Sequence, residues 1–281
     1  LDIRMNELDK YIDYFVIIES TFTHSGDKRS LKFNHKKFEK FKDKIIYKVF
    51  NKPPKNLENI NDNDSEIIKG NKYIMNAIKR ENGQRNLIEE GLYKAEKNDI
   101  ILISDVDEIP DLSKIDFSKV NEKILMFRQE MFYYKFNLKL PNFTWYGTKA
   151  CKYKFLKSPQ WLRNIKNKKY NLIRLDIFFS EKKYNSIKFI ENGGWHFSNM
   201  KTPAEIEKKM RTYLHHREYD INPLGKEKIE EIMKSKKSIY NLRADMKTEK
   251  FDGTQNLKPT DGSELPDFIK KNKNRYSNWI E

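Results

Sequence analysis

Three carboxylates fall within four positions at Asp105, Asp107 and Glu108, inside the stretch "IILISDVDEIP" at residues 100–110. Like charges this close repel one another, and burial makes the repulsion worse, so the stretch calls for a compensating cation. Two aspartates separated by one residue at the end of a strand can converge on a single divalent ion. Carboxylate oxygens suit hard cations such as Mg²⁺ or Mn²⁺, which commonly bridge a protein to the phosphates of its substrate. An ion held there would act as a Lewis acid on a departing diphosphate. A solvated acidic loop that caps the following segment is the plain structural alternative, and these residues alone do not choose between the two.

The residues that lead into Asp105 are apolar or small and read as a buried strand that delivers the acids at its carboxyl end. "YFVIIES" from Tyr14 and "KIIYKVF" from Lys44 to Phe50 read as two earlier strands, the second followed by Pro53 and Pro54. Between Asp64 and Ala95 apolar residues recur at helical spacing. The "ENG" at Glu81 predicts a break into two helices there, with Arg85 and Asn86 opening the second. Strands alternating with helices predict an α/β class, here one Rossmann-like domain over residues 1–281 with a mostly parallel central sheet and an irregular C-terminal region. Ligands of such sheets bind beyond the carboxyl ends of the strands, where both Asp105–Glu108 and Glu19–His24 fall. In the second half, "KILMFRQEMFYYKFNL" and "GGWHFSNM" read as strands. "TPAE" opens a helix, with Thr202 as N-cap, Pro203 in the first turn and Glu205 completing a capping box.

The chain is long enough, at 281 residues, to bury a sizeable core. Its 37% hydrophobic and 13% aromatic residues are a globular composition despite a mean hydropathy of −0.88. A net charge of +15 points to anionic partners. The lysines are dispersed and no nucleic-acid-binding motif is present, so specific nucleic-acid binding is not expected. The single Cys151 excludes an intramolecular disulfide and a zinc cluster. That is compatible with a reducing compartment, and the expected location is the cytoplasm or the cytoplasmic side of a membrane. No apolar run approaches the ~20 residues of a transmembrane helix. The chain opens on Leu1 rather than Met, which leaves room for a preceding segment.

The motifs "YFVIIESTFTHSGDKRSLKF", "QRNLIEEGL", "ISDVDEIP", "GGWHFSNMKTPAEI" and "FDGTQNLKPTDGSELPDFIKKN" occur in this order along the chain. In order and approximate spacing the sequence resembles glycosyltransferase family 17, over nearly its whole length. The family's first strand would precede the "LDIR" segment and is missing or cut off here. The resemblance implies a GT-A fold and an inverting, metal-dependent transfer from a nucleotide-diphospho-sugar to a glycan or glycoconjugate hydroxyl. The family includes an N-acetylglucosaminyltransferase of N-glycans, so UDP-N-acetylglucosamine is the first donor to expect, with Mn²⁺ or Mg²⁺ as cofactor. On this reading Asp107 is a direct metal ligand, and Asp105 meets the metal through water or the donor's ribose. Glu108 steadies the ligands. GT-A enzymes often take a further metal ligand from a C-terminal histidine, and His196 matches, since strand alternation turns it away from Trp195 and Phe197. Glu19, Thr21 and His24 would line the nucleotide pocket, and Arg85 with Asn86, at a helix start, would bind donor phosphate. One carboxylate must take the acceptor's proton; Asp252 is the candidate, with Asp245 and Glu191 as alternatives. Trp145, Tyr146 and Trp161 offer faces on which a sugar can stack. Two other readings stay open. A phosphohydrolase of the haloacid-dehalogenase type would expect Thr or Val where Ile109 stands, and a basic, non-enzymatic module would bind anions through charge alone.

Overall fold

The computed structural model describes residues 1–171, 173–240 and 255–281. Its elements in chain order are α1 (Asp2–Leu8), β1 (Phe15–Ser20), β2 (Ile45–Phe50), α2 (Glu66–Asn86), β3 (Ile100–Ile103), β4 (Glu108–Pro110), β5 (Ile124–Tyr133) and β6 (Leu138–Lys152). There follow α3 (Pro159–Asn164), β7 (Ile187–Ile190), β8 (Gly194–Ser198), α4 (Pro203–Met210), α5 (His216–Ile221), α6 (Gly225–Lys234), β9 (Lys258–Pro259) and α7 (Asp267–Lys271). They gather into two compact units. Leu1–Asp13, Lys94–Met200 and Thr254–Glu281 make the first; Tyr14–Tyr93 and Lys201–Gly253 make the second.

The first unit is built on a seven-stranded sheet of order β3-β6-β5-β8-β4, with β7 also on β5 and β9 on β6. The core strand β5 begins with Ile124, Leu125, Met126 and Phe127, all buried, as expected of a strand covered on both faces. Strands β7 and β8 lie one after the other along the same edge of β5, both parallel to it. The neighbours β3–β6, β5–β6, β4–β8 and β6–β9 are antiparallel. The sheet is therefore mixed and not mostly parallel as the alternation of strands and helices suggested. The reason is local. A tight connection, with Tyr134 at φ 63°, joins β5 directly to β6 and leaves no room for the helical crossover that a parallel pair needs.

The sheet also curls. Strands β3 and β4 stand at opposite ends of the strand order, yet only a short turn joins them. A flat sheet would put them about 19 Å apart at ~4.8 Å per strand, about the full reach of that turn. Curling brings β4 over β6, and Trp145 of β6 donates across to Glu108 of β4 at 2.8 Å. Strand β4 docks on β8 in the register Glu108↔His196 and Pro110↔Gly194. Gly194 permits it: at φ +121°, a Cβ there would lie 2.1 Å from the Ile109 carbonyl oxygen.

In the second unit β1 and β2 form a parallel pair, Phe15↔Ile45 to Ser20↔Phe50. The helical stretch after it does not break at "ENG". Helix α2 runs unbroken from Glu66 to Asn86. Gly83 serves packing, since a Cβ there would come within 2.8 Å of the Phe50 ring. The capping box predicted at Thr202 and Glu205 forms at the start of α4. Among the described residues no helix is long and apolar enough to cross a membrane.

Candidate active site

The acidic turn closes on itself: the Glu108 amide donates to the Asp105 carbonyl at 3.1 Å, and the Asp105 amide donates to Glu108 Oε2 at 2.9 Å. Glu108 is fully buried, and a carboxylate there needs every lone pair answered. Trp145 Nε1 donates to Oε1 at 2.8 Å, while Arg163 takes both oxygens, Nη1 to Oε2 and Nη2 to Oε1, each at 3.0 Å. Arg163 Nη2 also reaches Asp105 Oδ2 at 3.0 Å, and Nη1 donates to the Gly147 carbonyl. From α1, Arg4 donates to the Glu108 carbonyl and, at 2.6 Å, to Ser104 Oγ. Desolvation pulls the pKa of Arg4 below its ordinary value, against the opposing pull of Glu108, Asp105 and Asp107. The cation demanded by the three acids is thus supplied first by the chain itself, as two arginines. The packing leaves no slack: a Cβ on Gly147 would lie 2.4 Å from Gln129 Oε1 and 2.6 Å from Glu108 Oε1.

Behind this cage, the buried Lys149 donates to the carbonyls of Arg163 at 2.8 Å and Ile165 at 2.5 Å, fixing the end of α3. Desolvation, with Arg163 adding to it, pushes the lysine's pKa down to about 7.

Asp107 faces a different partner. Its carbonyl accepts from the Phe197 amide at 2.9 Å, and its Oδ2 stands 3.4 Å from His196 Nε2. His196 is buried and stacks on Trp145, with centroids 4.8 Å apart. Its neighbours Trp195 and Phe197 turn the other way, Trp195 Nε1 to the Glu264 carbonyl and Phe197 against Phe132 and Phe136. Metal–ligand bonds of about 2.1 Å put adjacent ligands about 3.0–3.4 Å apart, so this carboxylate–imidazole pair fits one divalent ion. Among the described residues no group of three or more His, Cys, Asp or Glu converges as a metal site. The protein would therefore offer two ligands, with substrate oxygens and water completing the shell, as is usual for Mg²⁺-like ions. One oxygen of Asp105 is already engaged by Arg163.

With this geometry in place, comparison with protein families returns one finding: the model of Glycosyltransferase family 17 matches residues 1–280, essentially the whole chain. The chain belongs to glycosyltransferase family 17. No curated protein and no solved structure matches it. Membership makes it a transferase of glycosyl groups, a class that works with nucleotide-sugar donors and glycan acceptors.

The remaining candidates of this family 17 glycosyltransferase are spread over both units. Glu19, Thr21, His24, Arg85 and Asn86 belong to the second unit, and Asp105, Asp107, Glu108 and His196 to the first. Glu19 accepts from the Lys32 amide at 2.6 Å, the Phe33 amide at 3.0 Å and the Tyr47 hydroxyl at 3.0 Å, with Arg29 at 3.4 Å. Desolvation pushes its pKa up, but these donors outweigh it and hold the carboxyl below its ordinary value. Thr21 accepts from the Arg29 amide through its carbonyl, and the carbonyl of His24 accepts from Arg80. Arg85 and Asn86 close α2, Asn86 leading directly into a 3₁₀ turn over Leu87–Gly91 and not into a second α-helix, and Arg85 pairs with Glu81 at 2.8 Å. At the C-terminus of α2 the partial charge is opposite to the one that attracts phosphate, which removes the expected α-helix N-terminus from beneath them. Glu191 pairs with Arg128 at 2.6 Å. Asp252 and Asp245 lie outside the described residues.

Of the aromatics, Trp145 holds Glu108 and His196, Trp161 donates to the Glu181 carbonyl, and Tyr146 packs on Phe189. Sequence reasoning missed Arg4, Arg163 and Lys149. Among 56 lysines and arginines nothing local distinguishes these three, and only the tertiary fold brings Arg4 and Arg163 to the acidic turn and Lys149 behind Arg163.

Proposed function

We propose that this protein is an inverting, metal-dependent glycosyltransferase with a GT-A-like domain over residues 1–281, moving N-acetylglucosamine from UDP-N-acetylglucosamine to a glycan hydroxyl. The observation that carries the reading is the Asp107–His196 pair, 3.4 Å apart on a turn braced by Arg163 and Arg4, in a chain of family 17. Mn²⁺ or Mg²⁺ bound at Asp107 and His196 would supply Lewis-acid stabilisation of the leaving diphosphate.

Glu108 and Arg163 hold the turn so that Asp107 keeps its orientation, and Trp145 fixes the ring plane of His196. Asp105, shared with Arg163, faces the donor beside them. In the transfer, the acceptor oxygen attacks the anomeric carbon as the bond from that carbon to the diphosphate oxygen breaks. The bonding pair leaves with the nucleoside diphosphate, and the acceptor's proton passes to a carboxylate, for which Asp252 is our candidate. Within the second unit, Glu19 holds the loop at Lys32 and Phe33, beside Thr21 and His24. The engagement of Asp105 by Arg163 weakens the phosphohydrolase alternative, which needs that carboxylate as a nucleophile.

The test is a screen of UDP-sugars for hydrolysis and transfer, with Mn²⁺, with Mg²⁺ and with chelator. Turnover of UDP-N-acetylglucosamine that needs the ion and disappears in Asp107→Asn is expected. Equal turnover in chelator, or preference for a simple phosphomonoester, would reject the proposal.

A further inference from the structure

The stretch between α3 and β7 has no part in the site just described, and its surface is unusual. Ile173, Leu175, Phe178 and Phe179 are 85%, 75%, 68% and 91% exposed. Four large apolar side chains within seven residues, standing out from the surface instead of lining a groove, lose solvation free energy for as long as they face water.

Basic residues surround them: Lys166, Lys168, Lys169, Arg174, Lys182 and Lys183. The two nearby acids are already neutralised. Asp176 binds Arg174 at 2.9 Å and Lys183 at 2.6 Å, and Glu181 binds Lys157 at 3.0 Å. Lys166, Lys168, Lys169 and Lys182 are exposed and have no carboxylate partner among the described residues.

The base of the loop is held firmly. The Lys166 amide donates to the Lys182 carbonyl at 2.8 Å, the Tyr170 amide to the Tyr184 carbonyl at 3.0 Å, and Trp161 Nε1 to the Glu181 carbonyl at 2.9 Å. Trp161 lies on α3, so the base of the loop is tied to that helix, and the exposed apolar residues sit between flanking lysines along the chain.

We propose that this loop docks the enzyme on an anionic lipid bilayer, with Phe178 and Phe179 entering the interface and the lysines meeting lipid phosphates. Two features favour lipid over a protein partner. The apolar side chains are largely exposed to solvent, 68–91%, and the charge around them is of one sign once internal pairs are discounted. Apolar insertion combined with attraction to anionic headgroups is the physical basis of reversible interfacial binding. Each lysine near an anionic surface strengthens it by roughly fivefold.

The experiment is co-sedimentation of the full chain with vesicles of phosphatidylcholine alone or mixed with phosphatidylglycerol, at low and high salt. Wild type should pellet with the anionic vesicles, less so with neutral ones, and salt should weaken the binding. Phe178→Ser/Phe179→Ser should lower anionic-vesicle binding by about tenfold or more, and Lys168→Glu/Lys169→Glu should lower it and remove the preference for anionic lipid. All these side chains are exposed, so unchanged circular dichroism is expected for both variants. Equal binding by the Phe variant, or indifference of wild type to lipid charge, overturns the proposal. So does a wild-type dimer without vesicles that the Phe variant dissolves, since the patch would then join copies of the chain.

Discussion

Glu108→Gln keeps the shape of the side chain and removes its charge. In the native cage each carboxylate oxygen accepts two donors: Trp145 and Arg163 Nη2 on Oε1, Arg163 Nη1 and the Asp105 amide on Oε2. An amide has a single acceptor oxygen, so whichever way it turns, two of these donors lose their partner, at about 1–3 kcal/mol each. The charge pair itself, with contacts of 3.0 Å, is worth about 5 kcal/mol at an effective dielectric of ~20, and the cost of desolvating both ions offsets part of that. Together these put Glu108→Gln and Arg163→Met at a loss of about 3–5 kcal/mol each. The double variant should recover about 2–4 kcal/mol relative to the sum, because the second change removes the ion that the first leaves stranded. Urea unfolding followed by tryptophan fluorescence measures this cycle selectively. All four tryptophans (Trp145, Trp161, Trp195 and Trp279) lie in the first unit, so the signal reports the unit that holds the cage. Additive losses, with coupling below about 0.5 kcal/mol, would refute the account of Glu108 and Arg163 as one mutually compensating pair.

Asp107→Asn should abolish ion-dependent sugar turnover with the fluorescence unfolding midpoint nearly unchanged, since this carboxylate lies outside the cage; retained turnover rejects its role. Gly147→Ala should destabilise by about 1–3 kcal/mol through overpacking against Glu108 and Gln129, and wild-type stability would show the close approach to be dispensable. Lys149 has its folded-state pKa depressed to about 7 from 10.5, so its charge opposes folding below about pH 7, and that cost is released as pH rises towards 10.5. Relative to Lys149→Met, wild type should gain stability across this window, by at most about 5 kcal/mol; a gap that does not change between about pH 6 and pH 9 contradicts it. Duplex DNA should bind only weakly and with steep loss on added salt, because the +15 is dispersed.

Much of the scaffold could be read locally. The runs at Phe15–Ser20, Ile45–Phe50, Ile100–Ile103 and Gly194–Ser198 are strands, and the Thr202–Glu205 box caps a helix, because apolar runs and cap chemistry act over a few residues. Strand direction could not be read that way, since it depends on which neighbour each strand finds. The helix continues through Glu81–Asn86 because the missing Cβ of Gly83 makes room for Phe50, a packing role that the local sequence does not distinguish from a helix break. In the candidate site, the acids stand out by clustering and His196 by its place in "GGWHFS", and the fold brings Asp107 and His196 to 3.4 Å. The arginines that neutralise the acids gave no such sign, because their partners lie 104 and 55 residues away along the chain.

That separation has a consequence during synthesis. A ribosome that adds about 5–20 residues per second makes Glu108 about 3–11 s before Arg163, which follows it by 55 residues. Strand β4 then waits longer still for β8, and the first unit also draws on the segment after residue 255. Through that interval the Glu108 carboxylate lacks its bidentate partner Arg163 and, with Arg4 alone as cation, has reason to stay hydrated. The acidic turn is thus among the last parts of the first unit to take shape, and a chain stalled or cut before Ser198 would lack a complete β8 for β4 to dock on.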